Sequence, residues 1–408
     1  MVRLMAWFTD KWFVSPYNYV ENARKGLRLP ERVYVHDTTL RDGEQQPGIA
    51  FRRDEKLEIA VALDEAGVDF IEAGMPAVSG EDFEALKAVV RQGLKAKVLA
   101  FSRCLKEDVD LALKIEVPGL VMELPSSEHM IKYAYRWSID KALERSQEAL
   151  EYAKQHGLYV KFFTIDSTRS SMEFFTRVIK DVSERMDSMV IADTFGVMSP
   201  YAMEYFVRSV KEFVSKPLEV HAHNDFGLAV ANSIAAVAGG ATVAHVTVNG
   251  IGERSGNAAL EETVLALELL LGVKTNVKLD RLYELSKLVE RLSGVPLPPQ
   301  KAVVGDNAVR VESGILVDWW YNVKDVRPVE MLPYLPSLIG RKTDVIVLLG
   351  KKSGRRNVAE KLKEMGVPAR DETVALILAK LKSRSVEKKR ALTEEEFKEL
   401  VREVLGSR

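Results

Sequence analysis

The 408-residue sequence is poor in cysteine and histidine and has no excess of either charge. Its single cysteine, Cys104, cannot form an internal disulfide, and zinc sites that need two or four cysteines are excluded. The 58 basic and 59 acidic residues give a formal net charge of −1, so no bulk charge attracts nucleic acid or an anionic membrane. Function must therefore be sought in local groups of residues.

Long apolar runs are also absent. The most apolar stretch, near residues 264–271, includes Glu268 and is far shorter than the ~20 residues that a membrane helix needs. Near the N-terminus, Asp10 and Lys11 interrupt what would be the apolar core of a signal peptide. These features predict a soluble, cytoplasmic protein that does not bind membranes.

Eight short apolar runs alternate with amphipathic segments, such as residues 54–66 and 140–156. The runs cover residues 33–36, 70–73, 97–101, 119–123, 159–164, 189–192, 218–222 and 244–248. Their composition is typical of parallel strands buried on both faces. Eight such units predict a (β/α)8 TIM barrel of the usual ~250 residues. The alternative, a doubly wound open sheet, more often has a glycine-rich phosphate loop after its first strand, and none is present here.

The alternating pattern stops near Val273. We predict an N-terminal extension over residues 1–30, the barrel over 31–295, and a linker with a smaller, mainly helical subdomain over 296–408. Later helices are predicted over residues 279–293, 357–366, 372–382 and 392–405, with Thr393 capping the last one. Residues 301–352 are interpreted as irregular, and the charged run 380–390 as a solvated connection.

Polar residues follow several strands at the end where a TIM barrel carries its active site. His221 and His223 are two residues apart on the seventh strand, which places both rings on one face. With Asp42 after the first strand, they predict a cation site, whereas the alternative is a pair of core or surface histidines. Two nitrogen ligands and oxygen ligands suit Zn²⁺, Mn²⁺, Fe²⁺, Co²⁺ or Mg²⁺, any of which can polarise a substrate carbonyl.

Arg41 adjoins this site and is suited to bind a substrate carboxylate through two hydrogen bonds. The alternative for Arg41 is an ion pair with a neighbouring carboxylate. Glycines at positions 250, 252 and 256 allow the loop after the eighth strand to approach a ligand closely. His36 and Cys104 are predicted to be packed in the interior.

Three segments, in this order, resemble a known family. Residues 37–45 read Asp-Thr-Thr-Leu-Arg-Asp-Gly-Glu-Gln, residues 221–225 read His-Ala-His-Asn-Asp, and residues 249–254 read Asn-Gly-Ile-Gly-Glu-Arg. They are similar to the isopropylmalate, homocitrate and citramalate synthases, which share a metal-dependent TIM barrel with the 3-hydroxy-3-methylglutaryl-CoA lyases. The resemblance covers most of residues 31–300 and extends weakly into the second domain.

The resemblance implies a Claisen-type acyltransferase that condenses acetyl-CoA, or a related acyl-CoA, with a 2-oxo acid and then hydrolyses the thioester. The implied ligands of a divalent metal (Mn, Mg, Zn or Co) are Asp42, His221, His223 and Asn257. The implied substrate-binding residues are Arg41, Gln45, Thr194 and His129. Arg41 and Asp166 are the residues implied to act in catalysis. A homodimer is also implied.

The sequence departs from the family pattern at two places. The synthases usually carry a Glu-Asp pair at the end of the fifth strand, where this chain reads Ile165-Asp166. Their usual second-domain histidine is also missing, because the matching segment, 311–316, has none and no histidine follows His245. The cysteine that lyases use after the eighth strand is absent as well. A carbon–carbon lyase or aldolase and a non-catalytic, metabolite-binding homologue therefore remain alternatives.

Overall fold

The computed structural model describes residues 6–406, which form two compact units. One unit is Pro16–Leu297, and the other combines residues 6–15 with residues 298–406. The domain boundaries expected from the sequence, near residues 30 and 295, stay a prediction, because a division by contacts does not show which parts fold independently.

The larger unit is a closed barrel of eight parallel strands in sequence order, which confirms the predicted TIM barrel. The strands are β1 (Tyr34–Asp37), β2 (Phe70–Glu72), β3 (Lys97–Arg103), β4 (Gly119–Pro125), β5 (Tyr159–Ile165), β6 (Ser188–Asp193), β7 (Leu218–Ala222) and β8 (Val243–Val246). Pairing of Tyr34 with Val243 begins the ladder between β1 and β8 that closes the barrel. In the second unit, β9 (Arg310–Val311) and β10 (Ile346–Val347) form a short parallel pair.

Helices follow the barrel strands and dominate the end of the chain. The α-helices are α1 (Glu21–Arg24), α2 (Arg53–Ala66), α3 (Gly80–Arg91), α4 (Lys106–Ile115), α5 (Glu128–Met130), α6 (Ile139–Gln155), α7 (Met172–Val182), α8 (Pro200–Lys211), α9 (Ala229–Ala238), α10 (Leu260–Leu265), α11 (Leu282–Ser293), α12 (Gly314–Val323), α13 (Arg355–Glu364), α14 (Asp371–Lys388) and α15 (Glu394–Gly406). Two short π-helical segments, Ile131–Tyr135 and Ala266–Leu271, continue α5 and α10. Within residues 6–406, no helix combines the length and the apolar character needed to cross a bilayer.

Local sequence sets where several of these helices begin and end. The Ser138 and Ser199 side chains accept hydrogen bonds from backbone N–H groups in the first turns of α6 and α8. Gly67 ends α2 with φ +89°, a left-handed conformation, and a Cβ there would lie 2.5 Å from the carbonyl oxygen of Asn276. Only glycine fits this combination of backbone angle and close approach.

The barrel interior mixes apolar and polar layers. Leu99, Phe101, Val121, Phe163 and Ile165 belong to one buried apolar cluster on β3, β4 and β5. Other inward positions carry fully buried charged or titratable residues, which include Lys161 on β5 and Glu219 on β7. The sequence prediction of apolar strands did not anticipate this polar layer.

The second unit corrects two predictions. The charged run 380–390 is helical as far as Lys388, because Leu381 and Ser385 are buried on one side of α14 while Lys380 pairs with Glu403 of α15 at 2.6 Å. Residues 301–352, interpreted as irregular, contain α12, which buries Val317 and Trp320. The predicted N-cap of the last helix is confirmed, since Thr393 Oγ1 accepts a hydrogen bond from the Glu396 N–H.

Candidate metal centre

The turn after β1 presents two neighbouring functional side chains, Arg41 and Asp42. The Asp37 carboxylate accepts hydrogen bonds from the backbone N–H and the hydroxyl group of Thr39, at 2.9 and 3.0 Å. The Thr39 hydroxyl oxygen in turn accepts from the Val248 N–H at 2.9 Å, which ties this turn to the loop after β8. The Asp-Thr-Thr sequence therefore fixes the path of the chain just before Arg41.

Asp42, His221 and His223 converge at the C-terminal end of the barrel. The Nε2 atoms of the two histidines are 3.3 Å apart and lie 3.5 and 3.7 Å from Asp42 Oδ2. Asn257 joins this aspartate–histidine cluster, because its side-chain amide donates to Asp42 Oδ1 at 2.7 Å and its backbone forms a bridge with that of His223. All four residues are buried.

The donor set fits a divalent metal ion. The ligand atoms of Asp42 and the two histidines all lie within 4.8 Å of one another. Asn257 Oδ1 is buried and has no hydrogen-bond partner among the described residues, so this oxygen is available as a further ligand. Two imidazole nitrogens and two oxygens are a ligand combination that Zn²⁺, Mn²⁺, Fe²⁺, Co²⁺ and Mg²⁺ accept to different degrees.

Electrostatics keep Asp42 and His223 in the protonation states that metal binding requires. Burial by itself would raise the pKa of Asp42, but Arg41 and the two histidines hold it well below its usual range. Burial lowers the pKa of His223 to about 4, and the nearby Asp42 charge only partly opposes this. At neutral pH the aspartate is ionised and His223 is neutral, as metal coordination requires.

The loop after β8 approaches these ligands very closely at Gly252. A Cβ at this position would lie 2.1 Å from the Asn257 side-chain nitrogen and 2.9 Å from Asp42 Oδ1. Its φ of +152° also lies in a region that L side chains rarely adopt. Gly252 therefore allows this loop to lie against the Asp42 and Asn257 side chains, and its close approach to a ligand stays a prediction.

Arg41 lies between two carboxylates. Its Nη1 donates to Asp42 Oδ2 at 2.8 Å and to Gln45 Oε1 at 3.3 Å, and its Nε donates to Glu72. Its Nη2 is buried and has no hydrogen-bond partner among the described residues. Arg41 and Gln45, together with Met75 and Phe101, line a cavity of about 280 Å³. The ion-pair alternative for Arg41 is thus realised, and one nitrogen of the guanidinium group, Nη2, has no partner among the described residues.

His129, Asp166 and Thr194 form a second group at the same end of the barrel. His129 Nε2 lies 2.8 Å from Asp166 Oδ2, and the His129 side chain is 43% exposed. Fully buried Asp166 also accepts hydrogen bonds from Ser127 and Arg169, and its N–H donates to Thr194 Oγ1 at 2.8 Å. The carboxylate of Asp166 is thus engaged on both oxygens. The roles predicted for these three residues stay predictions.

A further polar group lies among the inward-facing side chains and was not predicted. This lysine cluster consists of His36, Glu72, Lys161, Glu219 and His245, all fully buried. Lys161 Nζ donates to Glu219 Oε2 at 2.8 Å and lies 3.1 Å from His36 Nδ1. His245 Nε2 lies 2.8 Å from the same Glu219 oxygen. Alternation along the strands was the available signal, since Lys161 lies two residues before the inward-facing Phe163 and Glu219 lies two residues before His221.

Comparison with known proteins places these residues in a family context. Residues 32–289 match the profile of the HMGL-like family. The chain is 45% identical to the homocitrate synthase AksA of Methanopyrus kandleri, over 96% of this chain and 97% of that protein. It is 44% identical to a probable 2-isopropylmalate synthase of Ignicoccus hospitalis, over 93% and 94% of the two chains. It is 42% identical to the (R)-citramalate synthase CimA of Methanocaldococcus jannaschii, over 92% of this chain and 75% of that protein.

Solved structures support the same fold. The HMG-CoA lyase of Bacillus subtilis superimposes with a TM-score of 0.61 and 22% sequence identity, over 67% of this chain and 97% of the lyase. At this identity, the likeness concerns the barrel fold alone. The family match and the three synthase relatives lead to a plain assignment: this chain is a member of the HMGL-like family.

Proposed function

We propose that this protein is a metal-dependent acyltransferase of the Claisen type, which condenses acetyl-CoA or a related acyl-CoA with a 2-oxo acid. The observation that carries the proposal is the convergence of Asp42, His221 and His223 beside the available Nη2 of Arg41. The names of the relatives support condensation over cleavage, because all three are synthases of 2-oxo-acid-derived products.

In this proposal, Asp42, His221, His223 and Asn257 hold a divalent ion. Bound there, the ion supplies Lewis-acid polarisation of a substrate carbonyl. Arg41 binds the carboxylate of the 2-oxo acid through its available Nη2, and its contacts with Asp42 and Glu72 fix the plane of the guanidinium group. Gln45, which accepts a hydrogen bond from Arg41, lines the same cavity.

We assign Asp166 a positioning role. Its carboxylate is engaged by Ser127, His129 and Arg169, so it is poorly placed to accept a proton from substrate. The contact at 2.8 Å instead orients the partly exposed imidazole of His129 towards the mouth of the barrel, where it contacts substrate. Thr194 supports the same group through its hydrogen bond with the Asp166 N–H.

The test is an assay of purified protein with Mn²⁺ or Mg²⁺, acetyl-CoA and a panel of 2-oxo acids that includes pyruvate, 2-oxoisovalerate and 2-oxoglutarate. We expect free thiol to be released with at least one 2-oxo acid and the release to stop when the metal is chelated. Absence of thiol release with every acceptor would reject the proposal. Binding of metal and 2-oxo acid without turnover would instead identify a non-catalytic homologue, and release of a keto product from a hydroxyacyl-CoA would identify a lyase. The homodimer remains a prediction that light scattering can check.

A further inference from the structure

Glu123 is a carboxylate in the inward-facing layer at the C-terminal end of β4. Two residues earlier on the same strand, Val121 packs in the interior cluster with Phe101 and Phe163. Because side chains alternate along a strand, Glu123 points to the same side as Val121, towards the barrel axis. Its neighbours Met122 and Leu124 are buried on the opposite face, whereas Glu123 is partly exposed at the mouth of the barrel.

Glu123 lies on the strand next to the one that carries Ile165. Both residues face inward, on the adjacent and parallel strands β4 and β5, where Glu123 is paired in register with Phe163. The resemblance to the synthases leads one to expect a glutamate at position 165, and this chain has isoleucine there. A carboxylate is therefore available at the same end of the barrel, on the neighbouring strand.

Glu123 has no fixed hydrogen-bond partner in the described part of the chain. The carboxylates of Asp42, Glu72 and Asp166, in contrast, are each held by hydrogen bonds. The charged side chains that act on Glu123 are those of Arg41, Arg103, Asp108 and Glu72, with Tyr135 and Cys104 also near it. Arg103 is itself bound by Asp108 at 2.8 Å. An unpaired carboxylate at a partly exposed position is free to exchange a proton.

Burial tunes this carboxylate for the task. It raises the pKa of Glu123 to about 7, although the positive charges of Arg41 and Arg103 act in the opposite direction. A general base works best when its pKa lies near the working pH, because a useful fraction is ionised and the conjugate acid can still donate. Arg41 acts on Glu123 electrostatically, so a 2-oxo acid bound to Arg41 would lie at the same end of the barrel.

We propose that Glu123 is the proton-transfer group of the condensation, a role that rests on the proposed function. The Glu123 carboxylate accepts a proton from the methyl carbon of the acyl thioester, and the electron pair of that C–H bond is delocalised as the enolate. The enolate carbon then forms the new bond to the keto carbon of the 2-oxo acid. The C=O π electron pair moves to the keto oxygen, which takes the proton back from Glu123 and becomes the hydroxyl group of the product. Hydrolysis of the thioester follows.

The test compares E123Q with the wild-type protein and with E128Q, a control that removes an exposed carboxylate five residues further along. We expect E123Q to lower kcat by about 10²- to 10⁴-fold. Affinities for Mn²⁺ and for the 2-oxo acid should stay unchanged in calorimetry. E123Q should also abolish the rise of kcat between about pH 6 and about pH 8 that ionisation of a group with a pKa of about 7 produces in the wild type. E123D keeps the carboxylate and should recover part of kcat together with this pH dependence, which guards against a folding defect in E123Q.

The outcomes separate this proposal from the proposed function. If the wild type releases no thiol with any acceptor, the proposed function fails first, and with it the reaction in which Glu123 would act. If the wild type is active and E123Q retains its kcat and pH profile, only the role of Glu123 is rejected. A change confined to the KM for the 2-oxo acid would equally overturn proton transfer, because it would identify a residue that selects the substrate.

Discussion

Two buried histidine–carboxylate groups lie in one barrel, and they differ in the position of the positive charge that balances their carboxylates. In the lysine cluster, the ammonium group of Lys161 lies between Glu219 and His36, so a cation is already part of the protein. In the aspartate–histidine cluster, two imidazole nitrogens face each other and Asp42, and their positive partner, Arg41, lies to one side. His36, Glu72 and His245 also meet the same distance criterion for metal ligation.

A short distance between ligand atoms does not by itself define a metal site, since both groups have it. Both groups are fully or almost fully buried, and both contain two histidines. What differs is the internal cation, because an ammonium group next to the ligand atoms repels a divalent ion and also donates to one oxygen of the Glu219 carboxylate. The proposed metal site is therefore the aspartate–histidine cluster alone, a distinction that can be tested by mutation.

The largest effect is expected when the internal cation is removed. K161M leaves the Glu219 charge buried without its ammonium partner, which should lower the free energy of unfolding by about 3–5 kcal/mol in urea denaturation. The double variant K161M/E219Q removes both charges and should recover most of this loss. If K161M were as stable as the wild type, Lys161 would not be the cation that holds the cluster.

Metal affinity should distinguish the histidines of the two clusters. Loss of a partner behind a metal ligand costs roughly 10- to 100-fold in affinity, so loss of a ligand itself in H223A should weaken Mn²⁺ binding by more than ~100-fold in calorimetry. H245Q alters the lysine cluster and should bind Mn²⁺ about as tightly as the wild type. An equal loss in both variants, or two tightly bound ions per wild-type chain, would contradict the distinction.

Arg41 contacts residues of both clusters. Activity should depend on the shape of its side chain as well as on its charge. R41K keeps the positive charge but loses the planar group that reaches Glu72 and Asp42 together and that, in the proposed function, also binds substrate. Loss of one charge-assisted hydrogen bond is worth about 1.5–3 kcal/mol, so KM for the 2-oxo acid should rise roughly 10- to 100-fold in steady-state kinetics. R103K, which changes an arginine bound to Asp108, is the matched control and should leave this KM nearly unaltered.

Glu123 belongs to neither cluster and shows what happens to a carboxylate with no hydrogen-bonded cation. Its pKa is raised from 4.5 to about 7, so between these values the folded state binds more protons than the unfolded state. Wild-type stability should therefore fall as pH rises through this window. Between about pH 4.5 and about pH 7.5, E123Q should gain roughly 1–3 kcal/mol relative to the wild type in urea denaturation. A difference between the two proteins that does not vary with pH would show that the carboxylate is not perturbed.

Much of the fold was predictable because each barrel strand is short and mostly apolar and is separated from the next strand by a helical segment. The position of Asp42 beside His221 and His223 was predictable too, since the C-terminal ends of the barrel strands meet at one rim. The ion pair of Lys161 with Glu219 was not, because alternation indicates that each residue faces inward but their pairing across the interior leaves no trace in local sequence. The helical run through Lys388 was missed because several of its charges pair with α15, the next helix along the chain, and the packing of two helices leaves no mark in the local sequence pattern.

The single cysteine has a practical consequence. Cys104 is buried, and burial raises the pKa of its thiol, so the reactive thiolate is scarce in the folded protein. If the proposed condensation takes place, a colorimetric thiol reagent added to the assay will therefore report the coenzyme A that it releases, with little background from Cys104 in the folded protein. The same reagent will begin to colour when the chain unfolds, so one dye records both turnover and loss of structure.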